Sequence, residues 1–293
     1  MMILANLTVI GGSASQTLAK NLASKLDANY IKANIRVFPD GESKVTLGDK
    51  PTGKTIVVQS TPPPVDSNFI QALSLISKAR ETSSQVVAVI PYLCYIRQDK
   101  EFLSGEVVTS AVVAKMLKAV GASKIVVVDI HSQLAIKYFD MSIKNVSAIP
   151  KLAMFFKKMK LKNPFIVAPD LFWAPQAGQF AKILGTESGA LNKQRNRKTG
   201  ELEIKKSQKM NLEGRDIILV DDMISTGDSI VKAAEYAKEQ NCGDIYAACT
   251  HALLVRNAEK KIKNAGVLKI ISTNTILGKT NAVDVSDILA ESI

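Results

Sequence analysis

The chain has 293 residues, enough for two domains of ordinary size, and a hydrophobic fraction of 46% excludes general disorder. Its formal charge of +11 suits either nucleic acid or a site that handles several phosphate groups, and aromatics at only 5% weaken a base-stacking surface. No apolar run reaches the length of a membrane span and no signal-peptide pattern opens the chain, so a cytoplasmic protein working on neither membrane nor nucleic acid is expected.

In chain order, LTVI (7–10) precedes a glycine-bearing loop and a helix-period segment, the pattern of strand, loop and helix. FPDGES (38–43) follows the basic NIRV and carries the turn signal Pro39-Asp40-Gly41, from which Phe38, Asp40 and Glu42 project. A simple turn explains it as well as a binding role does. The runs TIVVQ (55–59) and VVAVI (86–90) read as buried strands. After the second, PYLCYIRQDK brings Arg97, Gln98, Asp99 and Lys100 together, a set suited to phosphate and base contacts and equally to a solvated helix start. KIVVVDI (124–130) leads into His131, one of two histidines, which is either a metal ligand beside Asp129 or a structural residue.

In KLAMFFKKMKLK (151–162), Leu152, Phe155, Phe156 and Met159 fall at helical spacing, which leaves the lysines a solvated face. FIVA (165–168) reads as a strand. NKQRNRKTGELEIKKSQK (192–209) lacks apolar periodicity and is broken by glycine and asparagine. It is either a lid whose cations close over a polyphosphate or a surface hairpin with no such role. DIILV (216–220) has the β-branching of a buried strand and is expected to stop at Asp221 and Asp222. Beyond Met223 and Ile224, the small and polar residues Ser225, Thr226, Gly227, Asp228 and Ser229 precede Ile230, Val231, Ala233, Ala234 and Ala237 at helical spacing. The first-turn amides and dipole of such a helix favour an anion, and the glycine lets a phosphate approach the backbone. Carboxylates beside the loop suit sugar hydroxyls or a hydrated Mg²⁺. IYAACT (245–250) and LKIIST (268–273) complete the strands. Cys94, Cys242 and Cys249 show no metal-ligand spacing and read as reduced packing residues.

Strands alternating with helices argue for mostly parallel sheets covered by helices. The order also repeats. VVQSTPPPVDSNFIQALSLISKAR matches LVDDMISTGDSIVKAAEYAKEQ in strand, loop and helix, with Asp66-Ser67 standing where the second has Asp228-Ser229. Two related α/β domains are therefore expected, 1–145 with a degenerate loop and 146–293 with the working one.

Taken in series, FPDGE, PYLCYIRQDK, DIHS, the basic hairpin with Lys193 and Arg195, and ILVDDMISTGDS resemble ribose-phosphate pyrophosphokinase (PRPP synthetase) over nearly the whole chain. The last looks like the PRPP-binding loop shared with phosphoribosyltransferases, so the resemblance implies two phosphoribosyltransferase-like domains. It also implies transfer of the β,γ-diphosphate of ATP to the C1 hydroxyl of ribose 5-phosphate, giving PRPP and AMP, with Mg²⁺ required. By motif match Phe38, Asp40, Gly41 and Glu42 would line an adenine pocket, Arg97 and Gln98 would meet ATP, and His131 and Asp170 would hold Mg²⁺ directly or through water. Lys193 and Arg195 would serve the transferring group as catalytic residues, Arg195 also being assigned to ribose 5-phosphate. Asp221, Asp222 and Ser225 to Ser229, including Thr226, Gly227 and Asp228, would hold ribose 5-phosphate. A homo-oligomer built from dimers is expected on the same ground.

Two departures stand out. The family usually has a glycine-rich, basic stretch after Asp170, where this chain has Leu171, Phe172, Trp173, Ala174 and Pro175. Asp228 and Ser229 replace the common glycine and threonine of the phosphate loop. The rival readings are a catalytically weakened regulatory subunit of this type and a phosphoribosyltransferase.

Overall fold

The computed structural model describes residues 7–195, 202–205 and 210–293, without the side chains of 193–195 and 202–205. They form two compact units. The first runs to Ser147 and includes Asn274–Leu277 and Asp284–Ile293, and the second takes Ala148–Thr273 and Gly278–Val283. Among the described residues no helix is long and apolar enough to cross a membrane.

The first unit contains β1 (Leu7–Gly11), α1 (Gln16–Lys25), β2 (Asn29–Val37), β3 (Ser43–Leu47), β4 (Lys54–Val58), α2 (Val65–Arg80), β5 (Gln85–Val89), α3 (Thr109–Ala119), β6 (Lys124–Val128) and β7 (Ser142–Val146). The described strands make one sheet in the order β3-β2-β1-β4-β5-β6-β7, parallel except for the β2–β3 pair. The chain leaves β1 towards β2 but leaves β4 in the other direction, towards β5. Right-handed crossovers then put α1 and α2 on opposite faces. Ile10, Val57, Ala88 and Ile125 on one face pack with Phe69, Leu73 and Ile76 of α2 and with Val113 and Leu117 of α3. β2, β3 and β7 have no continuous apolar run. Their burial alternates, with Lys32, Asn34 and Arg36 facing water, so they were not among the expected strands.

The second unit contains α4 (Ile149–Lys157), β8 (Phe165–Ala168), α5 (Ala174–Leu184), β9 (Glu187–Ala190), β10 (Asn192–Arg195), β11 (Leu202–Lys205), β12 (Ile217–Ile224), α6 (Asp228–Glu239), β13 (Ile245–Ala252), α7 (Ala258–Asn264), β14 (Val267–Thr273) and β15 (Asn281–Val283). Its sheet has the order β15-β14-β13-β12-β8-β9 and is parallel throughout the described residues. β10 and β11 form a separate antiparallel ribbon pairing Lys193 with Ile204 and Arg195 with Leu202. Apolar side chains fill both faces of the main sheet. Leu219, Ala247 and Ile230 pack on one side, and Val220, Ala248, Phe156 and Phe180 on the other. In α4, Leu152, Ala153 and Phe156 are buried while Lys157 and Lys158 are exposed, the solvated lysine face expected of that run. The α/β class and the two helix-covered, mostly parallel sheets are thus as expected.

After β15 the chain returns to the first unit. There α8 (Ser286–Ala290) packs on α1, with Leu22 and Leu289 fully buried and Asn21 Nδ2 donating to Asp284 Oδ2 at 3.0 Å. Lys54 and Lys124 donate from their ammonium groups to the carbonyls of Ile293 and Ser292 at 2.9 and 2.5 Å. A cut at residue 145 leaves this return out.

The amino end of the second sheet is held by Arg215, which is buried. Its guanidinium lies 4.8 Å from the Phe165 ring centroid, donates to the carbonyls of Asn163 and Pro164 at 3.0 and 2.9 Å, and pairs with Glu187. Arg215→Ala takes the side-chain donor from the Asn163 carbonyl and leaves the Pro164 carbonyl with the Thr186 hydroxyl alone. Because Glu187 stays largely in water, the expected loss is about 2 kcal/mol, read from urea unfolding.

Candidate active site

In the second unit β8 leads through α5 to β9, and β12 leads through α6 to β13 on the other side. The chain direction reverses between β8 and β12, and the carboxyl ends of those strands open a crevice of the kind where parallel sheets bind ligands. Asp170 follows β8 there, and Asp221 and Asp222 lie on β12. The strand does not stop at the two aspartates, as the sequence reading expects. β8 pairs with β12 only as far as Leu219, but β13 pairs with it through Ile224↔Ala252, and Met223 and Ile224 are buried. Asp221 and Asp222 therefore occupy a stretch of strand supported from one side.

Their charges interact. Asp222 donates its amide to Asp221 Oδ1 at 2.9 Å. Loss of water around Asp221, the Asp222 carboxylate and then Asp170 push the Asp221 carboxyl well above its usual range. Asp170 also accepts from Trp173 N at 3.1 Å in the turn that leads into α5. The three predicted carboxylates are thus gathered at one switch point.

The loop after β12 is built tightly. Gly227 has φ +82, and a Cβ there would stand 2.9 Å from Ile262 Cδ1 of α7, so both backbone and packing call for glycine. Behind the loop, Leu254 N and Val255 N donate to the carbonyls of Ile224 and Ser225 at 3.0 and 3.1 Å. Leu254, Arg256 and Asn257 all take positive φ in that backing segment, a strained run of the sort that needs its surroundings to hold it. α6 begins at Asp228, so its first-turn amides point out of the helix beside Ser225 and Thr226. Asp228 is exposed. Its carboxylate accepts from Thr226 Oγ1 at 2.8 Å and from Lys261 Nζ at 3.3 Å. Lys261 has no motif to announce it and was missed. The signal was indirect: an acid in a phosphate loop calls for a cation nearby.

In the first unit the corresponding reversal lies between β1 and β4, and its crevice is filled. The Gln59 amide accepts from Ala14 N at 3.1 Å and donates to Ser13 Oγ and Asn68 Oδ1, each at 3.2 Å, while Ser13 donates to Gln71 Oε1 at 2.5 Å. A Cβ on Gly12 would lie 2.2 Å from Gln59 Oε1, so the glutamine amide packs directly on the loop backbone.

Two of the predicted motifs meet beyond β5 and β6 in that unit. The Gln98 carbonyl accepts from Ser110 N and Oγ at 3.2 and 3.0 Å, and Thr109 donates to its side chain. Ser132 donates to the Asp99 carboxylate, and the Tyr138 hydroxyl donates to the Asp99 carbonyl at 2.8 Å. Arg97 and Gln98 are thereby tied to the segment of His131. The Phe38 to Glu42 stretch is instead an exposed turn joining β2 to β3, closed by Phe38 N donating to Glu42 O at 2.8 Å, with Gly41 at φ +95. β2 is three strand spacings from β5, about 14 Å. A cavity of about 540 Å³ lined by Ser13, Gln16 and Lys32 to Ile35 also lies in this unit, and none of the predicted residues lines it.

His131 belongs to the first unit and Asp170 to the second. The side chains of Lys193 and Arg195 lie outside the described residues. Among the described residues no group of three or more His, Cys, Asp or Glu could hold a metal ion. A divalent cation that keeps much of its water and takes one or two carboxylates needs no such cage, and Asp170 and Asp221 are hard oxygen donors that suit it.

Residues 7–121 match the family model for the N-terminal domain of ribose phosphate pyrophosphokinase, and residues 193–293 match that for the phosphoribosyl synthetase-associated domain. The ribose-phosphate pyrophosphokinase of Sulfolobus acidocaldarius is 34% identical over 290 residues, covering 97% of this chain and 99% of that protein. That of Methanopyrus kandleri is 36% identical over 287 residues, covering 97% and 98%. The chain belongs to the ribose-phosphate pyrophosphokinase family. The phosphoribosylpyrophosphate synthetase of Mycobacterium smegmatis superposes with a TM-score of 0.84 at 26% identity, covering 98% of this chain and 97% of that one. Against that family, the stretch after Asp170 divides in two. Leu171 and Phe172 are 56% and 61% exposed, whereas Trp173 is in the core, where its indole N–H and the nearby Gln176 Oε1 are buried without partners.

Proposed function

We propose that the chain is a ribose-phosphate diphosphokinase serving nucleotide biosynthesis, transferring the β,γ-diphosphate of Mg-ATP to the C1 hydroxyl of ribose 5-phosphate to give PRPP and AMP. What carries the reading is the Asp221 to Ser229 strand, loop and helix at a switch point, in a chain that matches its relatives from end to end.

In this reading Asp221 and Asp222 accept hydrogen bonds from the ribose hydroxyls, and Ser225 to Ser229 with the start of α6 receive the 5-phosphate. Held at both ends, the sugar presents its C1 hydroxyl in one direction. Arg97 and Gln98 meet ATP. His131 and Asp170 hold Mg²⁺ directly or through water, and when bound the cation offsets charge on the polyphosphate. Attack on the β-phosphorus spreads charge over the transferred group and the departing AMP, so Lys193 and Arg195 act by placing cations there rather than by covalent chemistry. Phe38, Asp40, Gly41 and Glu42 serve adenine. A homo-oligomer built from dimers lets the turn of one copy reach the ATP of another, which fits its distance from β5 within a chain. Both substrates are cytoplasmic small molecules, which fits a cytoplasmic enzyme.

The test is a coupled assay for AMP and PRPP with ATP, ribose 5-phosphate and Mg²⁺, in which both products are expected in equal amounts. Folded protein that binds ribose 5-phosphate yet releases no AMP would instead be a regulatory subunit, a reading that the exposed Leu171 and Phe172 favour. Consumption of PRPP with a free base would mark a phosphoribosyltransferase.

A further inference from the structure

The loop given to ribose 5-phosphate carries an anion of its own. Asp228 stands in the first turn of α6, where a bound phosphate would also sit, and its carboxylate already takes two donors that a phosphate would seek. Thr226 has a single hydroxyl proton, and while that proton is given to Asp228 at 2.8 Å it is not given to a phosphate. Lys261 reaches the same carboxylate at 3.3 Å from α7, the helix whose Ile262 packs against Gly227 of the loop. Lys232, one turn further along α6, adds a second positive charge. The Thr226 hydrogen bond, then Lys261 and Lys232, outweigh a smaller effect of burial and hold the Asp228 carboxyl below its usual range. The acid is therefore ionised wherever ribose 5-phosphate is a dianion.

We propose that Asp228 is a built-in competitor for the 5-phosphate, and that Lys261 is a phosphate-positioning residue shared between the two anions. When the sugar phosphate arrives, Thr226 and Lys261 turn from the carboxylate to the phosphate, and the displaced carboxylate repels it. Asp228 thus weakens substrate affinity and speeds release from the loop, while Lys261 keeps the loop attractive despite its acid. This rests on the ribose 5-phosphate reading above.

The experiment is calorimetric titration of ribose 5-phosphate into the wild-type chain, Asp228→Asn, Lys261→Met and the double variant, with ATP affinity measured in parallel and folding checked by thermal melting. Each exposed interaction is worth up to about 1 kcal/mol, so Asp228→Asn is expected to bind ribose 5-phosphate about fivefold more tightly and Lys261→Met about fivefold more weakly. The double variant should fall between the two. ATP affinity should not follow this order, whereas a merely structural role for the pair would move both ligands together. Wild-type or weaker binding by Asp228→Asn overturns the competition and leaves the ribose 5-phosphate site standing. No binding of ribose 5-phosphate by the wild-type chain overturns the site and this inference with it.

Discussion

Lys193→Ala is expected to lower kcat for AMP formation about a thousandfold while ATP still binds. That is a loss of about 4 kcal/mol, the size found when one preorganised charge donor is removed from a site where charge develops in the transition state. Before reaction the triphosphate is already neutralised in part by its metal, so a further cation matters most when the bond to AMP lengthens and the negative charge moves. Lys193 stands on β10, in the ribbon it forms with β11 just after β9. Single-turnover rates and ATP binding measured on one preparation separate the two possibilities. A variant whose ATP affinity falls while the bound-state rate persists would make Lys193 a binding residue only.

Asp221→Asn should pull stability and function in opposite directions. The Asp221 carboxyl is held above its usual range by loss of water, by Asp222 and by Asp170, so the folded chain takes up a proton there more readily than the unfolded chain. The stability this group contributes is complete below its unfolded pKa of about 4 and disappears as pH rises through the raised folded value. At pH 7.5, well above the unfolded pKa, the ligand-free protein has lost that contribution. The asparagine variant is expected to melt higher, and the gap should close as pH falls towards 4. In the role proposed for Asp221 the ribose hydroxyls lose a carboxylate acceptor at the same time, and kcat/KM for ribose 5-phosphate should fall about a hundredfold, ~3 kcal/mol. Melts across pH 4 to 8 with steady-state kinetics test both halves, and a variant that melts lower at pH 7.5 contradicts the account. A residue that costs the empty protein stability and benefits the occupied one is what a binding site built on buried acids requires.

Physical reasons decide which parts of this molecule could be read from its sequence. β1, β4, β5, β6, β8, β12, β13 and β14 were legible because strands buried on both faces must be apolar without interruption. β2 was not, since one of its faces meets water and NYIKANIRV alternates without standing out from a loop. The overshoot of β12 past Asp221 and Asp222 depends on the length of β13, a partner strand that local pattern cannot supply. The gathering of Asp170, Asp221 and Asp222 follows from the carboxyl ends of two neighbouring parallel strands, and those strands were legible in FIVA and IILV. Lys261, thirty-three residues beyond Asp228, comes to it only through the packing of α7 on the loop. The filling of the first crevice was half visible. The repeat already marked that loop as degenerate, but nothing local says that Gln59 and Asn68 would turn inward to occupy the space.

The return of the chain to its first unit bears on how the protein is made. α1 is completed by α8, and the carbonyls near the end of the chain are held by Lys54 and Lys124, so the first half to leave the ribosome cannot finish folding when it emerges. The whole second unit must be translated before Asp284–Ile293 arrives, a delay on the order of ten seconds at ordinary synthesis rates. During that interval the apolar side of α1 around Leu18 and Leu22 lacks its cover, and the nascent chain is then most exposed to chaperones and to wrong partners.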